Sequence, residues 1–220
     1  VTSRIRLNGD VKFILTDGAQ LDAKWGIDLG AGDTFTVYGQ TDDAETMGKL
    51  TACIPDAIDL YGIPKEEKEE AEWISEFRNN TPGIGMKSYH ARRDGRTRGV
   101  SRDEGDVIIN GGNIHAKGQQ GSSAIGGSDY DRNVSSDGDT PGNLRQGGSI
   151  TINGGIVCTE LRTSGGAHTA DSFGIGTCGG NGGSVTINGG TIIAEASSSA
   201  ISSGRGGSIT INGGNVTAHG

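Results

Sequence analysis

The chain has 220 residues, 41 of them Gly and only 32% hydrophobic, with a formal net charge of −8. Glycine is far above its usual ~7% and the apolar fraction is low for an ordinary globular core. The acidic balance argues against nucleic-acid binding as the dominant mode. Three cysteines, Cys53, Cys158 and Cys178, are too few and too scattered for a disulfide framework or a C-x-x-C metal spacing. No run reaches the ~18 apolar residues of a membrane span, and no signal-peptide pattern is present. The sequence opens inside a strand pattern, which predicts a mature or trimmed piece of a longer chain.

One motif sets the phase for everything else. Gly-Gly-Ser-Ile-Thr-Ile-Asn-Gly-Gly occupies residues 147–155, returns at 182–190 with Val185 for Ile, and returns again at 206–214, with a looser copy at 105–112. Self-similarity of this kind marks a solenoid, in which each unit buries its inner face against its neighbours. The β-branched alternation at a fixed phase argues against simple disorder.

From the N-terminus, Arg4-Ile-Arg-Leu-Asn-Gly and Thr34-Phe-Thr-Val-Tyr-Gly align with the motif. The Asn slot is then filled by Asn8, Tyr38, Asn110, Asn153, Asn188 and Asn212, at spacings of 30, 72, 43, 35 and 24 residues. The shortest spacing approximates a bare coil. Alternate residues of a strand face opposite ways, so the inward column of the first strand reads Ile5/Leu7, Phe35/Val37, Val107/Ile109, Ile150/Ile152, Val185/Ile187 and Ile209/Ile211. A second strand follows each copy and supplies Leu50, Ile114, Val157, Ile192 and Val216. A short third strand supplies Ile27, Ile84, Ile125, Ile175 and Ile201, each beside Gly or Ala. The prediction is an all-β, right-handed parallel β-helix over residues 1–220, with three strands per coil and about six coils. At ~4.8 Å per coil it would be roughly 30 Å long. Asn and Gly at the Asn-Gly-Gly corner suit the left-handed backbone region, and Asn can bond its own backbone there. β-Hairpins turning at Asn-Gly are the rival reading, but they leave the third strand unexplained.

Three loops interrupt the stack. Residues 53–82 contain Pro64 to Arg78, which reads as a short inserted helix: Pro64 suits the first helical position, the early Glu residues suit the dipole, and Trp73, Ile74 and Phe77 form an apolar face. It is expected either to lie over the solenoid or to act as a lid or partner element. Residues 86–104 are basic, with Tyr89, His90, Arg92, Arg93 and Arg96 as the candidate ligand-binding set; guanidinium forks suit the carboxylates of an acidic sugar. Residues 127–147 are acidic. Asp129, Asp131, Asp137 and Asp139 are hard oxygen ligands spaced for a possible Ca2+ site, although the EF-hand Gly and final Glu are missing. The basic and acidic loops leave the same corner of adjacent coils, so mutual neutralisation is the plainer expectation. Asp28, Arg145, Glu160, Arg162 and His168 are the available catalytic groups, and nothing in their spacing singles out a pair. Outward Ser149/Thr151, Ser184/Thr186 and Ser208/Thr210 form a hydroxyl ladder.

The repeat, with its following x-Val-x-Ala and Ala/Gly-Ile-Gly, resembles the β-helix repeats of secreted surface proteins from clostridia and related gut bacteria. The opening from Ile5 through Phe35-Thr-Val-Tyr-Gly-Gln to Met47-Gly-Lys-Leu-Thr-Ala is similar to the lead-in of those proteins. The resemblance covers most of the chain outside 53–82 and 86–104, and implies further flanking coils. Some such domains are similar to a clostridial surface domain that binds acidic sugars such as polygalacturonate with calcium, and the larger pectate-lyase-like superfamily includes enzymes; no site residue carries over. The expectation is a secreted or cell-surface adhesion module that binds an acidic polysaccharide or a host glycan. The alternatives are a passive spacer or stalk and, third, a lyase-like enzyme. End-to-end self-association is expected where a terminal coil leaves its strand edges open.

Overall fold

In a computed structural model of the chain, residues 4–54, 81–86, 89–93, 96–100, 103–119, 121–128, 146–160, 173–177 and 181–220 are described. They form a parallel β-helix with three strands per coil and about six coils. No helix occurs among them. The expected helix at 64–78 lies outside the described residues.

The first sheet stacks β2 (Val11–Leu15), β5 (Thr34–Gly39), β10 (Asp106–Ile109), β13 (Gln146–Ile152), β16 (Asn181–Ile187) and β19 (Ser208–Ile211). The second stacks β3 (Gln20–Asp22), β6 (Lys49–Cys53), β11 (Asn113–Lys117), β14 (Ile156–Thr159), β17 (Thr191–Glu195) and β20 (Asn215–His219). The third stacks β1 (Ile5–Arg6), β4 (Ile27–Asp28), β7 (Ile84–Gly85), β12 (Ser123–Gly126), β15 (Phe173–Gly176) and β18 (Ser199–Ser202). All neighbours within these sheets are parallel, as a solenoid requires and hairpins forbid.

The core is built from aligned columns of branched aliphatic side chains, most of them β-branched. Leu21, Leu50, Ile114, Val157, Ile192 and Val216 are successive partners in the second sheet. The third sheet stacks Ile27, Ile84, Ile125, Ile175 and Ile201 in the same way. Most of these are fully buried. Branched side chains stacked in register on a repeating pleat cover one another from coil to coil, which explains how a chain with few apolar residues still closes a core.

The first coil differs from the sequence reading. Ile5 does not begin the first-sheet column. Ile5–Arg6 instead pairs with Ile27–Asp28 and so belongs to the third sheet, as the last strand of a preceding turn. The first-sheet strand of the opening coil is Val11–Leu15, with Val11 opposite Phe35 and Phe13 opposite Val37. Phe13 meets Phe35 edge-on, with centroids 5.0 Å apart. Asn8 therefore does not fill the Asn slot; Ile14 stands there, opposite Tyr38. Alternation alone cannot separate a first strand from a third, because both turn every second residue inward.

The Asn-Gly-Gly corner also works differently from the expectation. Its left-handed residue is the second glycine, with φ of 89, 86, 92 and 93° at Gly112, Gly155, Gly190 and Gly214. The asparagine amides bond along the helix axis: Asn153 donates to Asn110 at 2.7 Å, Asn188 to Asn153 at 2.7 Å and Asn212 to Asn188 at 2.8 Å. An amide both donates and accepts, so identical residues in register form an open-ended chain of bonds.

Candidate functional site

The basic stretch takes a defined backbone form. Residues β8 (Tyr89–Arg93) and β9 (Arg96–Val100) pair antiparallel as a separate two-stranded ribbon, with Arg93 opposite Arg96, Arg92 opposite Thr97 and Ala91 opposite Arg98. The ribbon follows β7, and the acidic stretch follows β12. These are neighbouring strands of the third sheet, so both stretches leave the same corner of adjacent coils. Asp129, Asp131, Asp137 and Asp139 themselves lie outside the described residues, as do Arg145, Arg162 and His168.

A further candidate is occupied by a structural contact. Asp28 is buried and pairs with the buried guanidinium of Arg4, Nη2 to Oδ1 3.6 Å. On the first sheet the hydroxyl ladder is in register, Ser149–Ser184–Ser208 beside Thr151–Thr186–Thr210, and Lys12, Thr36 and Ile108 extend the second column. Alongside runs the asparagine ladder, with Tyr38 38% and Ile14 71% exposed beyond its end. Over its last three coils this face presents hydroxyls and amides; toward the N-terminal end charged groups join it, with Ser149 Oγ donating to the Asp106 carboxylate at 2.8 Å and Lys12 ending the Thr column.

The outward face of the second sheet brings together a group that the sequence reading did not assemble. The strand pleat turns Cys53, His115, Cys158, Lys117 and Glu160 outward, because their neighbours Ala52, Ile114, Ala116 and Val157 face the core. Cys53 stands opposite Lys117, and His115 opposite Cys158. Glu160 directly follows β14, and its backbone N–H donates to Ala116 O at 3.0 Å, which holds it beside Lys117. The Glu160 carboxylate reaches across to His115, Nε2 to Oε1 2.7 Å, and lies 3.7 Å from Lys117 Nζ. The Cys53 thiol donates to His115 O at 3.8 Å. One ligand atom each from Cys53, His115 and Glu160 lies within 4.8 Å of the others.

Electrostatics keep the thiol protonated. Burial, reinforced by the negative charges of Glu160 and Asp22 and opposed by Lys117, pushes the Cys53 thiol up to about 11 from an ordinary 9.0. Burial and Glu195 also raise Cys158. A thiol nucleophile needs the opposite shift, so this constellation is not an activated cysteine despite its Cys–His–Glu make-up. Its donors are a sulfur, an imidazole nitrogen and a carboxylate oxygen on one face. Residues 53, 115 and 160 belong to three coils, so no short-range spacing reveals them. The available signal was the strand phase: His115 occupies the third position of its strand, and Cys53 and Glu160 fall at the fifth.

No protein-family model, no curated protein and no solved structure matches the chain. No helix among the described residues is long and apolar enough to cross a membrane.

Proposed function

We propose that the β-helix is a secreted or cell-surface binding module for an acidic polysaccharide. The observation that carries this reading is the β8–β9 ribbon. It places Arg92, Arg93, Arg96 and Arg98 on two paired strands of a chain whose net charge is −8. Guanidinium groups suit carboxylates through planar paired donors. A projection on a rigid scaffold is where binding residues commonly sit. The hydroxyl and amide rows of the first sheet, with Tyr38 at their end, supply the hydrogen-bonding and stacking chemistry that sugars use. Calcium held by Asp129, Asp131, Asp137 and Asp139 belongs to the same proposal, as a bridge between acidic sugar and acidic loop.

The test is retention of purified protein on polygalacturonate and on a neutral glucan, with calcium and with chelator. Retention on the acidic polymer that weakens with salt and is lost in the Arg92→Ala/Arg93→Ala/Arg96→Ala variant supports the reading. Calcium dependence that disappears on Asp129→Asn/Asp131→Asn supports the calcium bridge. Equal behaviour of wild type and the arginine variant overturns the arginine assignment. Absence of retention on every polymer leaves the spacer as the better account.

A further inference from the structure

We propose that Cys53, His115 and Glu160 form a binding site for a zinc-class divalent transition-metal ion on the outer face of the second sheet. The inference is independent of the polysaccharide reading, because it concerns a different face and different residues.

The donor set selects the ion. Thiolate sulfur and imidazole nitrogen favour borderline-soft cations, whereas Ca2+ and Mg2+ take oxygen ligands. A tetrahedral zinc ion with bonds of ~2.0–2.3 Å holds its ligand atoms about 3.5 Å apart. The three donor atoms already lie within 4.8 Å of one another, so small side-chain rotations reach that spacing. The backbone need not move, because β6, β11 and β14 are locked in parallel register. The His115–Glu160 contact of 2.7 Å opens as both groups turn onto the metal. Cys53 releases its thiol proton to solvent and binds as thiolate. His115 donates a ring-nitrogen lone pair, and the Glu160 carboxylate donates one oxygen. The side chains of His115 and Glu160 are 37% and 43% exposed, so the fourth position opens to water.

Lys117 sharpens the test. Its ammonium lies 3.7 Å from Glu160 Oε2 and repels an incoming dication while competing for the carboxylate. A site that binds metal gains affinity when this charge is removed; a purely structural ion-pair cluster gains nothing. At ~5 Å in a wet environment, removing one positive charge facing a dication corresponds to roughly tenfold tighter binding.

The experiment uses chelator-treated full chain with Cys158→Ser and Cys178→Ser, so that Cys53 is the only thiol. Co2+ is titrated and the near-ultraviolet sulfur-to-cobalt band is followed, then Zn2+ is added in competition with a chromophoric chelator. The expected results are one equivalent of Co2+ with a thiolate band that Zn2+ abolishes, and no response to Ca2+. His115→Ala and Glu160→Gln should each weaken binding by about 100-fold or more, beyond what an outer-shell change costs. Lys117→Met should tighten it. Circular dichroism checks that each variant is folded, and the conservative His115→Gln stands in if His115→Ala is not. No thiolate band at one equivalent, or the same affinity in folded Glu160→Gln and His115→Gln variants, overturns the proposal. Unchanged polysaccharide retention in Cys53→Ser would leave the polysaccharide reading intact whichever way the metal test falls.

Discussion

Arg4 offers a demanding test of how the coils are held together. Its side chain is 1% exposed. Nη1 donates to Trp25 O and Pro82 O, each at 3.0 Å, and Nη2 to Ile27 O at 3.1 Å and Gly85 O at 3.3 Å. The same group pairs with buried Asp28. One guanidinium therefore joins β1 to the two coils stacked on it. Removing one member of a buried ion pair costs roughly 3–5 kcal/mol, because the other charge stays buried. Arg4→Met should lose about that much. For a chain of this size each kcal/mol lowers Tm by about 2–4 °C, so the expected fall is about 6–20 °C. Thermal and urea unfolding by circular dichroism measure it, and amide exchange at Ile27 and Ile84 shows whether the loss is confined to the opening coils, as nearest-neighbour coupling in a solenoid permits. Arg4→Met/Asp28→Leu should recover the part due to the stranded charge but not the part due to the four carbonyls. A loss below about 1 kcal/mol, with unchanged exchange at both amides, would refute the reasoning.

Further outcomes follow from other parts of the stack. Asn153→Ala breaks two amide bonds of the ladder at an exposed position; it should cost about 1–2 kcal/mol in urea unfolding. Ile125→Ala, in a fully buried column, should cost about 2–5 kcal/mol by the same assay. Gly126 has φ of 129°, and a Cβ there would collide with Gly176 O. Gly126→Ala should therefore destabilise by more than the ~1–3 kcal/mol of backbone strain alone, or fail to fold, as read from soluble yield and melting. In metal-free protein lacking Cys158 and Cys178, iodoacetamide should label Cys53 slowly at neutral pH, and the rate should still be climbing past pH 10. Because the folded thiol holds its proton more tightly than the unfolded one, its contribution to stability is complete below pH 9 and fades toward pH 11. A plateau in labelling near pH 9 would contradict the burial argument.

Much of the architecture is local enough to be read from the chain. The alternation of Ile150/Ile152, Val185/Ile187 and Ile209/Ile211 specifies which face turns inward, and the Asn-Gly-Gly repeat specifies where each coil turns. The lone Ile between small residues marks a third strand, and stacking then follows because only neighbouring coils can cover those faces. What the strands' partners decide lay beyond that reading. Ile5 and Leu7 alternate just as a first strand does, and only pairing with Ile27–Asp28 assigns β1 to the third sheet. Arg4 looks like an outward charge in sequence, yet it is buried because carbonyls of two coils and Asp28 converge on it. The Asn residues were legible as corner residues, but their bonding to one another depends on register across coils. The arginines of the basic stretch were visible as a cluster, whereas their antiparallel pairing is a backbone property of that segment. Cys53, His115 and Glu160 meet because stacking brings three coils together at ~4.8 Å intervals. Chemistry assembled along the solenoid axis is set by register between coils, and register is a tertiary fact that no single stretch of sequence contains.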